Sequence, residues 1–288
     1  MRAPFLLLVP ACIALSWAAA INDGVVPAPL DLSLLLAGAL AAHVSVNALN
    51  EYEDFLSGLD LRTERTPFSG GSGTLPAQPQ RAHYALWVAV LSLSLTILVG
   101  LYFTWLRGWG LLPIGLLGVA LIVLYTRWLT HSPLLCLIAP GVGFGPLMVV
   151  GGYFALTGDF SRTAVLGSLP PLFLVSGLLL MNQFPDRSAD QSVGRKHLLV
   201  THGPRAGVWA YAGLQASAYL CIISGVVAAG LSPWVLLSLA TLPLSLQSTR
   251  GLWQHYNDTP ALIPAMGKNV VLTLATPLLF ALGLVLGA

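Results

Sequence analysis

Two short stretches of this 288-residue chain gather carboxylates and amides at the ends of apolar runs. The first is Asn50-Glu51-Tyr52-Glu53-Asp54-Phe55-Leu56-Ser57-Gly58-Leu59-Asp60. The second is Asn182-Gln183-Phe184-Pro185-Asp186-Arg187-Ser188-Ala189-Asp190, and together they hold six of the 11 Asp and Glu residues. Acids next to hydrocarbon are costly and normally have cationic partners. Asn182, Asp186 and Asp190 are spaced i, i+4, i+8, so they share one face if the helix runs that far. Asn47, Asn50 and Asp54 do the same at i, i+3, i+7. Ser57-Gly58 is expected to end the first helix and let Asp60 fold back from the loop. Carboxylates this close repel one another unless a cation lies among them. An oxygen-only donor set suits Mg²⁺, which usually completes its shell with phosphate oxygens and water. The chemistry implied is the handling of a phosphorylated substrate.

Basic residues adjoin both stretches: Arg62 and Arg65 follow the first, and Arg195, Lys196 and His197 follow the second. Arg and Lys beside a bound metal are a common means of holding a polyanion. Ser69-Gly70-Gly71-Ser72-Gly73 offers backbone N–H groups that could wrap a diphosphate or form a flexible lid. Spacing alone leaves two alternatives open, a pair of solvated interfacial loops and the polar pathway of a transporter.

The elements that must position these groups follow from composition. With 56% hydrophobic and 8% charged residues and a mean hydropathy of +0.80, the chain is expected to be an integral membrane protein. Its basic residues are too dispersed for a nucleic-acid footprint. Cys12, Cys136 and Cys221 lie in apolar runs without metal-type spacing and are read as small buried hydrophobes. Runs long enough to cross a bilayer occur at 3–20, 29–50, 82–105, 109–127, 132–156, 164–183, 206–229, 231–248 and 266–287, which predicts nine helices. The longer connections are 51–81, 184–205 and 249–265, and the first two are expected to cap a central cavity. The first run is read as a span, although Ala18-Ala19-Ala20 could also end a signal peptide.

With nine spans, one side holds Arg2, Arg62, Arg65, Arg81, Arg127, Arg187, Arg195, Lys196, Arg205, Arg250 and Lys268, and the other only Arg107 and Arg162. This asymmetry places the acidic stretches on the cytoplasmic side, of a cell inner membrane. The absence of an internal repeat argues against an inverted-repeat transporter.

The segment Asn50 to Asp60 resembles the first Asp-rich motif of the UbiA superfamily of intramembrane prenyltransferases, in the form found among menaquinone-pathway enzymes that prenylate 1,4-dihydroxy-2-naphthoate. Asn182 to Lys196 is similar to that group's second motif, and Phe144-Gly145-Pro146-Leu147 and Gly151 to Gly158 also look like it. Glu51 and Gln183 stand where the group often has Asp and Glu. The resemblance implies an all-α fold of about nine helices around a central cavity. It implies transfer of an isoprenoid chain from a polyprenyl diphosphate to an aromatic acceptor inside the bilayer, with Mg²⁺ as cofactor. By the same resemblance Asp54, Asp60, Asp186 and Asp190 are catalytic metal ligands, joined by Asn50 and Asn182. Diphosphate contacts are expected from Asn50, Arg62, Arg65, Tyr125, Arg127, Asn182, Arg195 and Lys196. His43, one turn before Asn47, is expected to be a hydrogen-bonded interior histidine, with a role at the acceptor hydroxyl as the alternative.

Overall fold

A computed structural model describes residues 3–288, so Arg2 lies outside the described residues. Every regular element among them is helical. A 3-10 turn, Ala3–Leu7, leads into α1 (Leu8–Asn22), followed by α2 (Pro29–Leu56), α3 (Ala82–Arg107) and α4 (Leu111–Leu124). Then come α5 (Pro133–Thr157), α6 (Arg162–Ser192), α7 (Gly203–Val227), a 3-10 run Pro233–Thr241 leading into α8 (Leu242–His255), and α9 (Thr259–Leu286).

Among the described residues seven helices are long and apolar enough to cross a membrane. The other two expected spans, 109–127 and 231–248, correspond to the 14-residue α4 and to the 3-10/α8 run. Helical structure also extends into stretches read as connections: α2 continues to Leu56, α6 to Ser192, and α9 begins at Thr259. Amphipathic helix ends project beyond hydrocarbon without breaking, because intrahelical hydrogen bonding does not depend on the solvent outside.

The burial pattern is that of a protein dissolved in lipid. Trp87, Leu91, Leu98 and Trp105 stand exposed along α3, while its small Ala89 is buried. With no gain from burying apolar groups out of lipid, interior contacts rely on small residues and hydrogen bonds. Gly38 of α2 lies against Val99, and Gly141 of α5 lies so close to α6 that an added Cβ would strike the Leu172 carbonyl and Ser176 Oγ. Ser45 Oγ donates to the Ala89 carbonyl at 2.9 Å, tying α2 to α3. Tyr211, Ser248 and Asn269 join α7, α8 and α9: the Tyr211 hydroxyl donates to Asn269 Oδ1 at 2.9 Å and shares a hydrogen bond with Ser248 Oγ at 2.9 Å. Helix α1 lies in the core, with Cys12, Leu15 and Ala18 fully or almost fully buried beside Phe280 and Leu284 of α9.

Helix α5 changes pitch where it passes the cavity. Pro140 and Pro146 remove two backbone donors, and Gly143–Val150 widens into a π-helical run. That run carries Phe144 to an edge-to-face contact with His43, with ring centroids 5.1 Å apart.

Candidate active site

Two helix ends and one loop build the polar site. Helix α2 stops at Leu56, Gly58 takes a left-handed conformation (φ 74°), and a 3-10 turn Leu59–Leu61 carries Asp60 back toward the bundle. Helix α6 passes Pro185 unbroken to Ser192, so Asn182, Asp186 and Asp190 do share one face. Both ends, with Asn50, Asp54 and Asp60, meet around a cavity of about 250 Å³ that Tyr125 and Arg195 also line.

Arg195 stands between the two acidic helix ends. Its guanidinium donates to Asp54 of α2 and, at 2.9 Å, to Asp190 of α6. The second Asp190 oxygen lies 3.0 Å from His197 Nε2. Burial disfavours charge on the guanidinium, but Asp54 and Asp190 outweigh it and raise the pKa of Arg195. The fork geometry of Arg suits this double contact; a Lys ammonium could not reproduce it.

The loop between α2 and α3 closes over the same cavity. The Gly70 N–H donates to Asp186 Oδ2 at 3.1 Å, Ser72 bonds to Glu51, and Ser69, Gly70, Gly71 and Ser72 all line the wall. Gly71 has φ 67° and sits against Asp60, where an added Cβ would come within 2.7 Å of its carboxylate. A side chain there would be strained and would crowd the acid, which accounts for glycine.

Asn50 Nδ2 donates to Thr126 Oγ1 at 3.0 Å, holding α2 to the turn after α4. Tyr125 in the same turn reaches the cavity beside Cys136, whose sulfur accepts from Gln183 Nε2 at 3.2 Å. Of the expected diphosphate contacts, Asn50, Tyr125, Asn182 and Arg195 therefore face the cavity. Arg62, Arg65, Arg127 and Lys196 are exposed and stand outside its wall. Arg62 bonds to the Ser192 hydroxyl at 3.1 Å, Arg65 covers Gly73, and the Lys196 N–H donates to the Thr130 carbonyl at 3.1 Å.

Thr130, Cys136 and Phe144 also line the wall; the sequence marks Cys136 only as a buried hydrophobe and Phe144 only as part of a family-like segment, and nothing in it signals Thr130. The reading of His43 needs correction. Among the described residues neither buried ring nitrogen has a hydrogen-bond partner, so it is not a satisfied core histidine. Nothing in the sequence signals this, since it depends on what other helices bring opposite the ring.

A second cavity of about 510 Å³ adjoins the first and is lined chiefly by apolar residues of α2, α3, α4 and α5. The two share His43, Asn47, Asn50, Tyr125, Pro140, Phe144 and Leu179. A polar chamber lined by the acids thus adjoins a larger apolar one.

The donors were tested for fit to Mg²⁺. Among the described residues no three His, Cys, Asp or Glu side chains are placed to hold a metal alone. That suits an ion that takes one or two carboxylates and finishes its shell on a substrate's phosphates. Among the described residues Asn182 Oδ1, buried in the cavity wall, has no hydrogen-bond partner, and it is a hard donor of the required kind. The residues fit.

A bundle with a lipid-exposed apolar exterior and a buried acidic chamber defines a multi-pass integral membrane protein. The model of the UbiA prenyltransferase family matches residues 7–266, and the chain belongs to that family; it is a prenyltransferase. It is 29% identical over 264 residues to the 1,4-dihydroxy-2-naphthoate octaprenyltransferase of Bacillus subtilis, covering 89% of this chain and 83% of that one. It is 26% identical over 238 residues to the 2-carboxy-1,4-naphthoquinone phytyltransferase of Synechocystis, covering 79% and 72%. Its fold resembles the apo structure of a UbiA homologue from Aeropyrum pernix, with a TM-score of 0.73 at 19% identity over 99% of this chain and 98% of that one.

Proposed function

We propose that this protein transfers an isoprenoid chain from a polyprenyl diphosphate to 1,4-dihydroxy-2-naphthoate or a close quinone precursor. The observation that carries this reading is the junction of the acidic chamber with the apolar one. A diphosphate and a long hydrocarbon are thereby accommodated by one continuous molecule. The curated relatives, named for naphthoate and naphthoquinone acceptors, supply the acceptor class.

Bound Mg²⁺ would supply positive charge to the leaving diphosphate. Asp60 and Asp186 would hold it with Asn50 and Asn182, while Asp54 and Asp190 in the same wall hold Arg195 beside the diphosphate. Arg195 then places its charge where negative charge grows as the C–O bond breaks. Gly70 and Gly71 keep the loop close enough to exclude water, and the apolar walls protect the allylic cation from hydrolysis. The ring carbon of the acceptor captures that cation, and aromaticity returns as that carbon releases its proton to the departing diphosphate or, if it bears the carboxylate, releases CO₂. The acidic motifs face the cytoplasm of the inner membrane, following the charge asymmetry.

The test is pyrophosphate release by the purified protein in nanodiscs, with polyprenyl diphosphates of several lengths, a panel of aromatic acceptors, and Mg²⁺ or EDTA. Release that needs Mg²⁺ and 1,4-dihydroxy-2-naphthoate is expected. Equal release with EDTA removes the metal, and transfer only to another acceptor class removes the naphthoate assignment.

Chain length supplies a separate expectation. Gly118 of α4 lines the apolar chamber, and an added Cβ there meets nothing within 4 Å. Gly118→Phe should fill part of the chamber at little cost in stability. The longest diphosphate used should then shorten, while short ones keep their KM. An unchanged product-length profile by mass spectrometry would place the isoprenoid elsewhere.

A further inference from the structure

His43 lies at the seam between the two chambers and lines both. It is 7% exposed, and among the described residues neither Nδ1 nor Nε2 has a hydrogen-bond partner. Buried polar atoms in native proteins are nearly always satisfied, so such a residue calls for a ligand. The ring is held on one side by Phe144. Phe5, Leu8, Val175 and Leu178 also line the polar chamber and form one apolar cluster with Phe144.

An isoprenoid has no hydrogen-bonding group and cannot satisfy an imidazole. An aromatic ring bearing hydroxyls can, and Phe144 with its apolar neighbours offers its faces a packing surface. Seven residues of helix separate His43 from Asn50, about 10 Å along the axis. Both residues line the two chambers, so a ligand held at His43 lies within about one fused-ring length of the acidic end.

Resting on the acceptor class proposed above, we propose that His43 is the acceptor-binding residue: its unpartnered ring nitrogen accepts a hydrogen bond from an acceptor hydroxyl and turns the reactive ring carbon toward the isoprenoid diphosphate. The role is hydrogen bonding by the neutral imidazole, which has one accepting nitrogen. Specificity follows, because a ring lacking that hydroxyl would leave the nitrogen unsatisfied.

The experiment compares wild type, His43→Phe and His43→Gln in nanodiscs. Phe keeps the ring packing and removes the polar atoms, so its thermal midpoint should be no lower than that of wild type. Its KM for 1,4-dihydroxy-2-naphthoate should rise about tenfold or more, the loss expected for one buried hydrogen bond. Its KM for the diphosphate should stay unchanged, and His43→Gln should recover much of the acceptor KM. A second arm measures binding of 1-hydroxy-2-naphthoate and its 1-methoxy counterpart, which needs no turnover. Wild type should prefer the hydroxyl and His43→Phe should not. Wild-type transfer with an unaltered acceptor KM in His43→Phe, or preserved discrimination, overturns the role of His43 alone. If wild type binds neither analogue and prenylates no hydroxyaromatic, the acceptor class fails and this role falls with it.

Discussion

Asp186→Asn is expected to lower kcat/KM for prenyl transfer by about 10²–10³-fold, the scale of removing one preorganised electrostatic group from a reacting centre. Asp186 sits at the middle of the α6 face, lines the polar chamber with Asp60, and its Oδ2 accepts from the Gly70 N–H. Asn retains an oxygen for that hydrogen bond, so the loop should stay closed and the fold intact. What disappears is the charge that would face the metal and diphosphate. The thermal stabilisation that Mg²⁺ and a non-hydrolysable diphosphate analogue confer together should therefore vanish in the variant, while its midpoint without ligand stays near that of wild type. A variant with near wild-type turnover would remove Asp186 from the catalytic set. One with a collapsed midpoint would make its role architectural.

Arg195→Met is expected to cost both activity and stability. Arg195 bridges Asp54 and Asp190, all three largely buried, and Met restores volume without charge. Breaking a buried ion pair by removing one partner costs about 3–5 kcal/mol, because the remaining charge has nothing to compensate it. Here two carboxylates are left. The thermal midpoint should fall by several degrees and transfer should drop to background. Adding Asp54→Asn to Arg195→Met should return part of the stability, since one stranded charge is gone, but none of the activity. Additive losses in the double variant would show that Arg195 and Asp54 do not interact. Arg195→Lys should be intermediate in stability, because an ammonium cannot serve both carboxylates with a planar fork.

Much of the site was legible in the sequence because it depends on local geometry. The spacing of Asn182, Asp186 and Asp190, and of Asn47, Asn50 and Asp54, makes two helix faces wherever those helices lie. Gly58 was readable as the end of α2 because a left-handed residue there favours glycine. The apolar exterior follows from composition, since a surface such as that of α3 has no stable place in water. The extent of the helices was less legible. Hydropathy ends where hydrocarbon ends, whereas α2 and α6 continue past it on their own hydrogen bonds.

Choosing among the basic residues required the tertiary structure. Arg62, Arg65, Arg127, Arg195 and Lys196 are equivalent by proximity to the motifs, yet of these only Arg195 lines the chamber. Its bond to Asp54 spans 141 positions of sequence, and which guanidinium arrives there is settled by how the turn after α6 packs. Long-range packing likewise made the two chambers, the Gly70 contact to Asp186, and the seam at His43. The sequence by itself determined the membrane class, the acidic faces and the family resemblance, because these rest on composition and on residues within one or two helical turns. Only the tertiary structure decided which cation sits between the acids and which buried nitrogens lack a partner, because both depend on what distant helices bring opposite one another.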